Sequence, residues 1–166
     1  MSENGNAKVV SVNLSPTVGM RKTPQQSAEL ILDRGFVDDA HKGDWHRQVS
    51  ALGIESIDTM RAAGLDVGPG DFAENLTTEG IDLVDLPIGT LVRIGEAELE
   101  LSQIGKVCHT RCAIYHQAGD CVMPREGVFF VVRKAAPVSA GDAIEVLERG
   151  DGTCEANYLD ELPAGE

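Results

Sequence analysis

Between residues 97 and 102 the chain alternates apolar and polar side chains with a period of two, and that pattern limits the folds available to it. Ala97, Leu99 and Leu101 alternate with Glu98, Glu100 and Ser102, which buries one face of a strand and wets the other. Residues 91–94 supply a partner across Gly95-Glu96, a turn short enough for a hairpin. An antiparallel sheet is therefore the frame that the rest of the chain must fit. Residues 8–13 have the β-branched character of an opening strand, and residues 128–132 (Val-Phe-Phe-Val-Val) and 143–147 read as further strands. Ser139-Ala140-Gly141-Asp142 makes the turn into the last of these.

One segment has helical spacing. Val49, Leu52, Gly53, Ser56, Ile57 and Met60 follow i, i+3, i+4, i+7, and Gly64 stands where a helix stops. The small residues on that face predict close packing against a sheet. Residues 15–27, with Pro16, Gly19 and Pro24, read as an irregular connection. Residues 35–48, rich in Gly, Asp and His and without a clean period, read as a functional loop. Residues 66–71 form a turn whose glycines permit positive φ. Many short strands, interrupting turns and one clear helix predict a mainly β, barrel-like α+β domain with a few peripheral helices. The expected organisation is one domain over residues 1–150 and an acidic, loosely ordered tail over 151–166.

The bulk properties narrow the function. The chain has 166 residues, room for one domain with a substantial core. No stretch approaches the roughly 18 apolar residues of a spanning helix, and residues 1–6 carry no secretory pattern. A cytoplasmic protein with reduced cysteines is the expectation, with no membrane partner. The formal net charge of −13 and sequence pI ≈ 4.6 repel a phosphate backbone, which argues against nucleic-acid binding. On so acidic a chain, Lys42, Arg47, Lys106, Arg111, Arg125 and Arg133 near unusual motifs suggest a local pocket for a small anionic ligand. The plainer alternative is scattered, solvated charge.

Residues 105–121 hold three of the four cysteines and two of the four histidines. Cys108, His109, Cys112, His116 and Cys121 could supply four ligands to a structural zinc. The Cys108-x-x-x-Cys112 spacing, however, lacks the second ligand pair that usually defines such a site. A Cys108–Cys112 disulfide conflicts with a reducing compartment. The sharper reading is a reactive thiolate: Arg111 precedes Cys112, Lys106 lies two before Cys108, and a nearby cation favours the nucleophilic, metal-binding form. Cys154 reads as a core filler.

Two further segments invite a ligand. His41-Lys42-Gly43-Asp44-Trp45-His46-Arg47-Gln48 includes the only Trp. Its histidines, five apart, share neither a helix face nor a strand face, so a two-His metal site is poorly supported. Arg47 and Gln48 can hold an anionic or heteroaromatic ligand by directional hydrogen bonds, or the loop can be fixed by bonds within itself. Glu74-Asn75 follows the Gly70-Asp71 turn; Asn75 both donates and accepts, and a structural role is the favoured reading for this pair.

Taken together and in order, these segments resemble the MOSC domain, found at the C-terminus of molybdenum cofactor sulfurases and as small stand-alone proteins. The likeness is carried by Gly43-Asp44 with His46-Arg47-Gln48-Val49, then by Asp71-Phe72-Ala73-Glu74-Asn75-Leu76-Thr77-Thr78-Glu79-Gly80 and Pro87-Ile88-Gly89-Thr90. It continues through Arg93-Ile94-Gly95, Gln103-Ile104-Gly105-Lys106 with the cysteines, and Gly141-Asp142. The stand-alone type is the nearer match, through the segments beginning at Cys112 and Cys121. The resemblance implies a MOSC-type barrel-like fold and a cysteine that handles molybdenum cofactor (molybdopterin) or its sulfur. Cys112 is the first choice as metal ligand or sulfur acceptor and Cys108 the second. Arg47, Gln48, Lys106, Arg111, His46, Asn75 and Arg125 are the implied cofactor contacts. A sulfur transferase, a molybdenum-dependent reductase-like activity and a non-catalytic cofactor carrier all fit the resemblance, with a cysteine desulfurase or a molybdoenzyme as partner. The chain has no pyridoxal phosphate motif, which favours a carrier over autonomous sulfuration. A zinc-stabilised structural domain is the alternative from the residues alone.

Overall fold

The computed structural model describes residues 7–15, 22–37, 39, 48–72, 74–104 and 127–152. In chain order its strands are β1 (Lys8–Leu14), β2 (Thr23–Gln25), β3 (Ser27–Ile31), β4 (Gly35–Phe36), β5 (Val49–Gly53), β6 (Leu76–Glu79), β7 (Leu91–Ile94), β8 (Ala97–Ile104), β9 (Val128–Lys134), β10 (Pro137–Ser139) and β11 (Ile144–Glu148). Helix α1 (Ile54–Ala62) lies between β5 and β6, and a 3-10 turn occupies Leu83–Asp85.

The alternation around Gly95 produces the expected hairpin. Ile94 faces Ala97 and Val92 faces Leu99, with Val92, Ala97, Leu99 and Leu101 all fully buried. Gly95 has φ 62°, and a Cβ there would lie 2.6 Å from Asp142 Oδ2, so both conformation and space call for glycine. The hairpin joins a sheet of order β11-β7-β8-β9-β5-β6-β1-β2, and a second, three-stranded sheet has the order β10-β3-β4. Among the described residues only β5 and β6 pair in parallel, and α1 makes the crossover such a pair requires.

The main core gathers Val9, Val12, Phe36, Val49, Ala51, Leu76, Leu99, Leu101 and Phe130 on one face of the large sheet. A second cluster of Leu52, Ile57, Met60, Val67, Phe72 and Phe129 packs α1 on the other. Strand β9 serves both, since Phe129 and Phe130 point to opposite faces.

Several expectations need correction. The helix does not begin at Val49: Val49–Gly53 is β5, and only Ile54–Ala62 is helical. A short run buried on both faces, with neighbours β6 and β9 on either side, has no period-two signature, and its apolar spacing coincided with a helical one. The stop holds: Gly64 follows the C-cap Ala63 with φ 102°. Residues 15–27 are not wholly irregular, because β2 pairs with β1 and β3 opens at Ser27. Pro24 is tolerated there because β2 ends the ladder and need not donate outward. The large sheet is open, not a closed barrel. Val9 N donates to Asp142 O at 2.8 Å, Gly141 N to Val9 O at 2.8 Å and Ile144 N to Ala7 O at 3.1 Å, but among the described residues these bonds make one isolated bridge, Lys8–Ala143, and no continuous ladder between β1 and β11. Among the described residues there is one α-helix rather than a few, and none is long and apolar enough to cross a membrane. At the start of the tail, Gly150 N donates to Thr90 Oγ1 (3.0 Å) and Gly152 N to Ile88 O (2.8 Å). Residues 153–166 lie outside the described part.

Candidate functional site

Two of the residues expected to contact a ligand are described, and the fold employs both. Gln48 is 1% exposed; its Oε1 accepts from Val132 N at 2.9 Å and its Nε2 donates to Asp33 Oδ1 at 3.0 Å. The side chain therefore continues the β5–β9 pairing one step past Val49, as a backbone group would. Asn75, fully buried, bridges three elements: Oδ1 accepts from Ser50 N (3.0 Å) and Ser50 Oγ (3.3 Å), and Nδ2 donates to Asn13 O (3.2 Å). Its carboxamide mimics a peptide group between β1 and β5. Cys108, Cys112, His46, Arg47, Lys106, Arg111 and Arg125 lie outside the described residues.

Beside Asn75 sits a polar cluster that local sequence spacing did not expose. Glu74 is fully buried, and its carboxylate accepts from Gly70 N (2.9 Å), Phe72 N (3.2 Å) and Thr77 Oγ1 (2.7 Å). Desolvation raises its pKa to about 7, against the opposing pull of the Gly70, Thr77 and Phe72 hydrogen bonds. Asn13 Nδ2 donates to Thr77 Oγ1 at 3.0 Å and Ser11 Oγ donates to Asn13 Oδ1 at 2.6 Å, extending the cluster along β1. Gly70 O accepts from Lys22 N at 2.8 Å, and Lys22 Nζ lies 2.7 Å from Asp39 Oδ1 with both side chains sealed from solvent. Burial alone would raise the Asp39 carboxyl; the Lys22 hydrogen bond, the Ser15 N–H and the Lys22 charge bring it below its ordinary value. The one available signal was a Glu two and four residues after backbone donors in a Gly-Asp turn, a spacing that lets a carboxylate fold back.

These contacts anchor the two segments that carry the unusual residues. Asp39 and Gln48 hold the ends of residues 40–47. For residues 105–126 the anchors are β8 and β9, where Ile104 faces Val128, which also faces Ala51 of β5. Ser102 Oγ donates to Phe129 O at 3.1 Å just before the exit. Val128 and Val132, the β9 residues at the two anchor points, are four apart, or roughly 13 Å along a strand. Among the described residues no group of His, Cys, Asp and Glu is arranged to hold a metal ion.

A sheet anchoring two motif-bearing segments on one strand is the setting in which the family can be read. The MOSC domain model matches residues 38–145, well over half of the chain, and the chain belongs to the MOSC domain family, one associated with molybdenum cofactor binding. Three solved structures share the fold. YuaD from Bacillus subtilis has TM-score 0.72 and 18% identity, over 84% of this chain and 94% of that one. YiiM from Geobacillus stearothermophilus has TM-score 0.68 and 23% identity, over 93% and 82%. YiiM from Escherichia coli has TM-score 0.62 and 22% identity, over 92% and 76%. No curated protein matches the chain.

Proposed function

We propose that this protein binds molybdenum cofactor, or a precursor of it, and positions it for sulfur transfer or delivery through the thiolate of Cys112, with Cys108 as a second thiol. The observation that carries this reading is that the family match runs through both anchored segments, 40–47 and 105–126. The chemistry of the donor set fits the group. Thiolates are soft ligands suited to a soft metal centre. Arg111 and Lys106 beside the cysteines favour the thiolate form, and with Arg47 and Arg125 they offer charge-assisted hydrogen bonds to a phosphorylated pterin. When bound, the cofactor supplies a redox-active metal and its exchangeable sulfur; the chain supplies the ligand, the counter-charge and the fixed anchors.

Reach is sufficient for the two segments to act on one ligand. Residues 105–126 span 22 positions, and half that length extends to about 36 Å, well beyond the distance between the two anchor points. Gln48 and Asn75 contribute by holding strand ends, since their polar atoms are engaged within the fold.

The test is anaerobic purification followed by pterin fluorescence and molybdenum analysis of wild type, Cys112→Ala and Cys108→Ala. The expected result is cofactor in wild type and its loss in Cys112→Ala. Equal occupancy in all three proteins removes these thiols from metal ligation.

A further inference from the structure

Gln48, where the 40–47 segment rejoins the sheet, belongs to a closed ring of three hydrogen bonds. Asp33 N donates to Val132 O at 3.1 Å, Val132 N donates to Gln48 Oε1 at 2.9 Å, and Gln48 Nε2 donates to Asp33 Oδ1 at 3.0 Å. Packing accounts for two of the members: Val132 belongs to the main core, and Gln48 is buried beside β5. Asp33 is different. It stands exposed in the turn between β3 and β4 and belongs to neither core cluster.

The turn itself does not call for this carboxylate. Arg34 N donates to Ile31 O at 3.0 Å, which closes the turn through the backbone alone. Among the described residues Asp33 is the one non-glycine with positive φ, 58°, a conformation that L residues avoid and that Asp tolerates better than most. A glycine would serve the turn at least as well, so the side chain answers to something else. That is Gln48. With Asp33 Oδ1 as acceptor and Val132 N as donor, the buried carboxamide has a single satisfied orientation. Reversed, it would set oxygen against carboxylate and N–H against N–H.

Arg47, the residue before Gln48, is one of the cations offered to the phosphorylated pterin. We propose that Asp33 is a positioning residue of the cofactor site: acting through Gln48, it fixes the point from which residue 47 departs and so where its guanidinium can meet the cofactor. This role rests on the cofactor reading given above. Asp33 touches no ligand in it, and it lies before the stretch, residues 38–145, that the family model matches. A scaffold role alone makes a different forecast, because cofactor content per folded molecule would then be insensitive to residue 33.

The experiment measures pterin fluorescence and molybdenum per folded molecule in anaerobically purified full-length wild type, Asp33→Asn and Asp33→Gly. Asp33→Gly takes the left-handed φ freely and deletes the acceptor, whereas Asp33→Asn keeps both the conformation and an acceptor oxygen. Pterin content falls about tenfold in Asp33→Gly and returns to within about threefold of wild type in Asp33→Asn. The Gln48 side-chain amide protons, followed by NMR, exchange faster in Asp33→Gly and not in Asp33→Asn. Arg47→Gln lowers pterin content in the wild-type background and adds little to Asp33→Gly, since the two residues act as one unit. Wild type that carries no pterin removes the cofactor reading and this proposal with it. Pterin in wild type with equal pterin in Asp33→Gly, no recovery in Asp33→Asn, or fully additive losses for Asp33→Gly and Arg47→Gln overturns the positioning role alone.

Discussion

Lys22 and Asp39 form an ion pair of 2.7 Å between Nζ and Oδ1, with side-chain exposures of 0% and 1%. The pair joins the approach to β2 with the residue that precedes the 40–47 segment. Its value to the fold lies in the penalty for breaking it. A lone buried charge cannot recover its hydration, so Lys22→Met costs about 3–5 kcal/mol. Replacing both residues by apolar ones of similar volume restores much of that loss. Urea unfolding of the single and double variants measures both effects. A single-variant loss under about 1 kcal/mol would place the pair with ordinary surface bridges.

The buried Glu74 carboxyl makes stability depend on pH. Its folded pKa, about 7, stands above its ordinary value of 4.5 because burial disfavours the charge. Between those values the folded state holds a proton that the unfolded chain has released. The stabilisation is fully present below about 4.5 and is lost as pH rises through about 7, up to roughly 3 kcal/mol in all. Glu74→Gln removes this dependence whatever its absolute stability. Melting curves across that window check it; parallel slopes for variant and wild type would refute the assignment to Glu74.

Two glycines with similar φ separate conformational strain from steric conflict. Gly70 has φ 87°, and a Cβ there would sit 2.2 Å from Lys22 O, a backbone atom that cannot swing aside. Gly141 has φ 95° with nothing within 4 Å. Gly141→Ala therefore costs only the left-handed conformation, about 1 kcal/mol. Gly70→Ala adds displacement of the chain that also carries Lys22, and costs at least about 3 kcal/mol. Chemical denaturation of the two variants gives the comparison, and equal losses would mean that the Lys22 carbonyl yields.

What could be read before folding was what local periodicity encodes. The Ala97–Leu101 alternation and the Gly95-Glu96 turn before it were legible because one face is buried and the other wet, and Gly64 marked a helix end by its left-handed conformation. Val49–Gly53 misled for the opposite reason: a strand covered on both faces carries no alternation, and its partners Leu76 and Phe130 are remote in sequence. The polar cluster was hidden in the same way. Lys22 and Asp39 lie in segments that look irregular, and Glu74 meets Asn13 through Thr77 across more than sixty positions. The Cys108–Cys112 motif stood out because its chemistry is local, whereas any pocket facing it is not.

Asn75 tests whether the carboxamide that the family resemblance offers as a cofactor contact is a ligand contact or a joint in the scaffold of this chain. Its Nδ2 donates to Asn13 O at 3.2 Å, so Asn75→Asp turns a hydrogen bond into two opposed acceptors in a buried site near the Asp39 carboxylate. The loss expected is about 2–3 kcal/mol of folding stability. Asn75→Ala removes the acceptor for Ser50 N and costs about 1–3 kcal/mol. Because both changes act on the joint between β1 and β5, cofactor content per folded molecule stays at the wild-type level in each. Pterin fluorescence normalised to the folded fraction from circular dichroism provides the measurement. A variant that stays fully folded yet loses the pterin signal would instead make the Asn75 carboxamide a ligand contact.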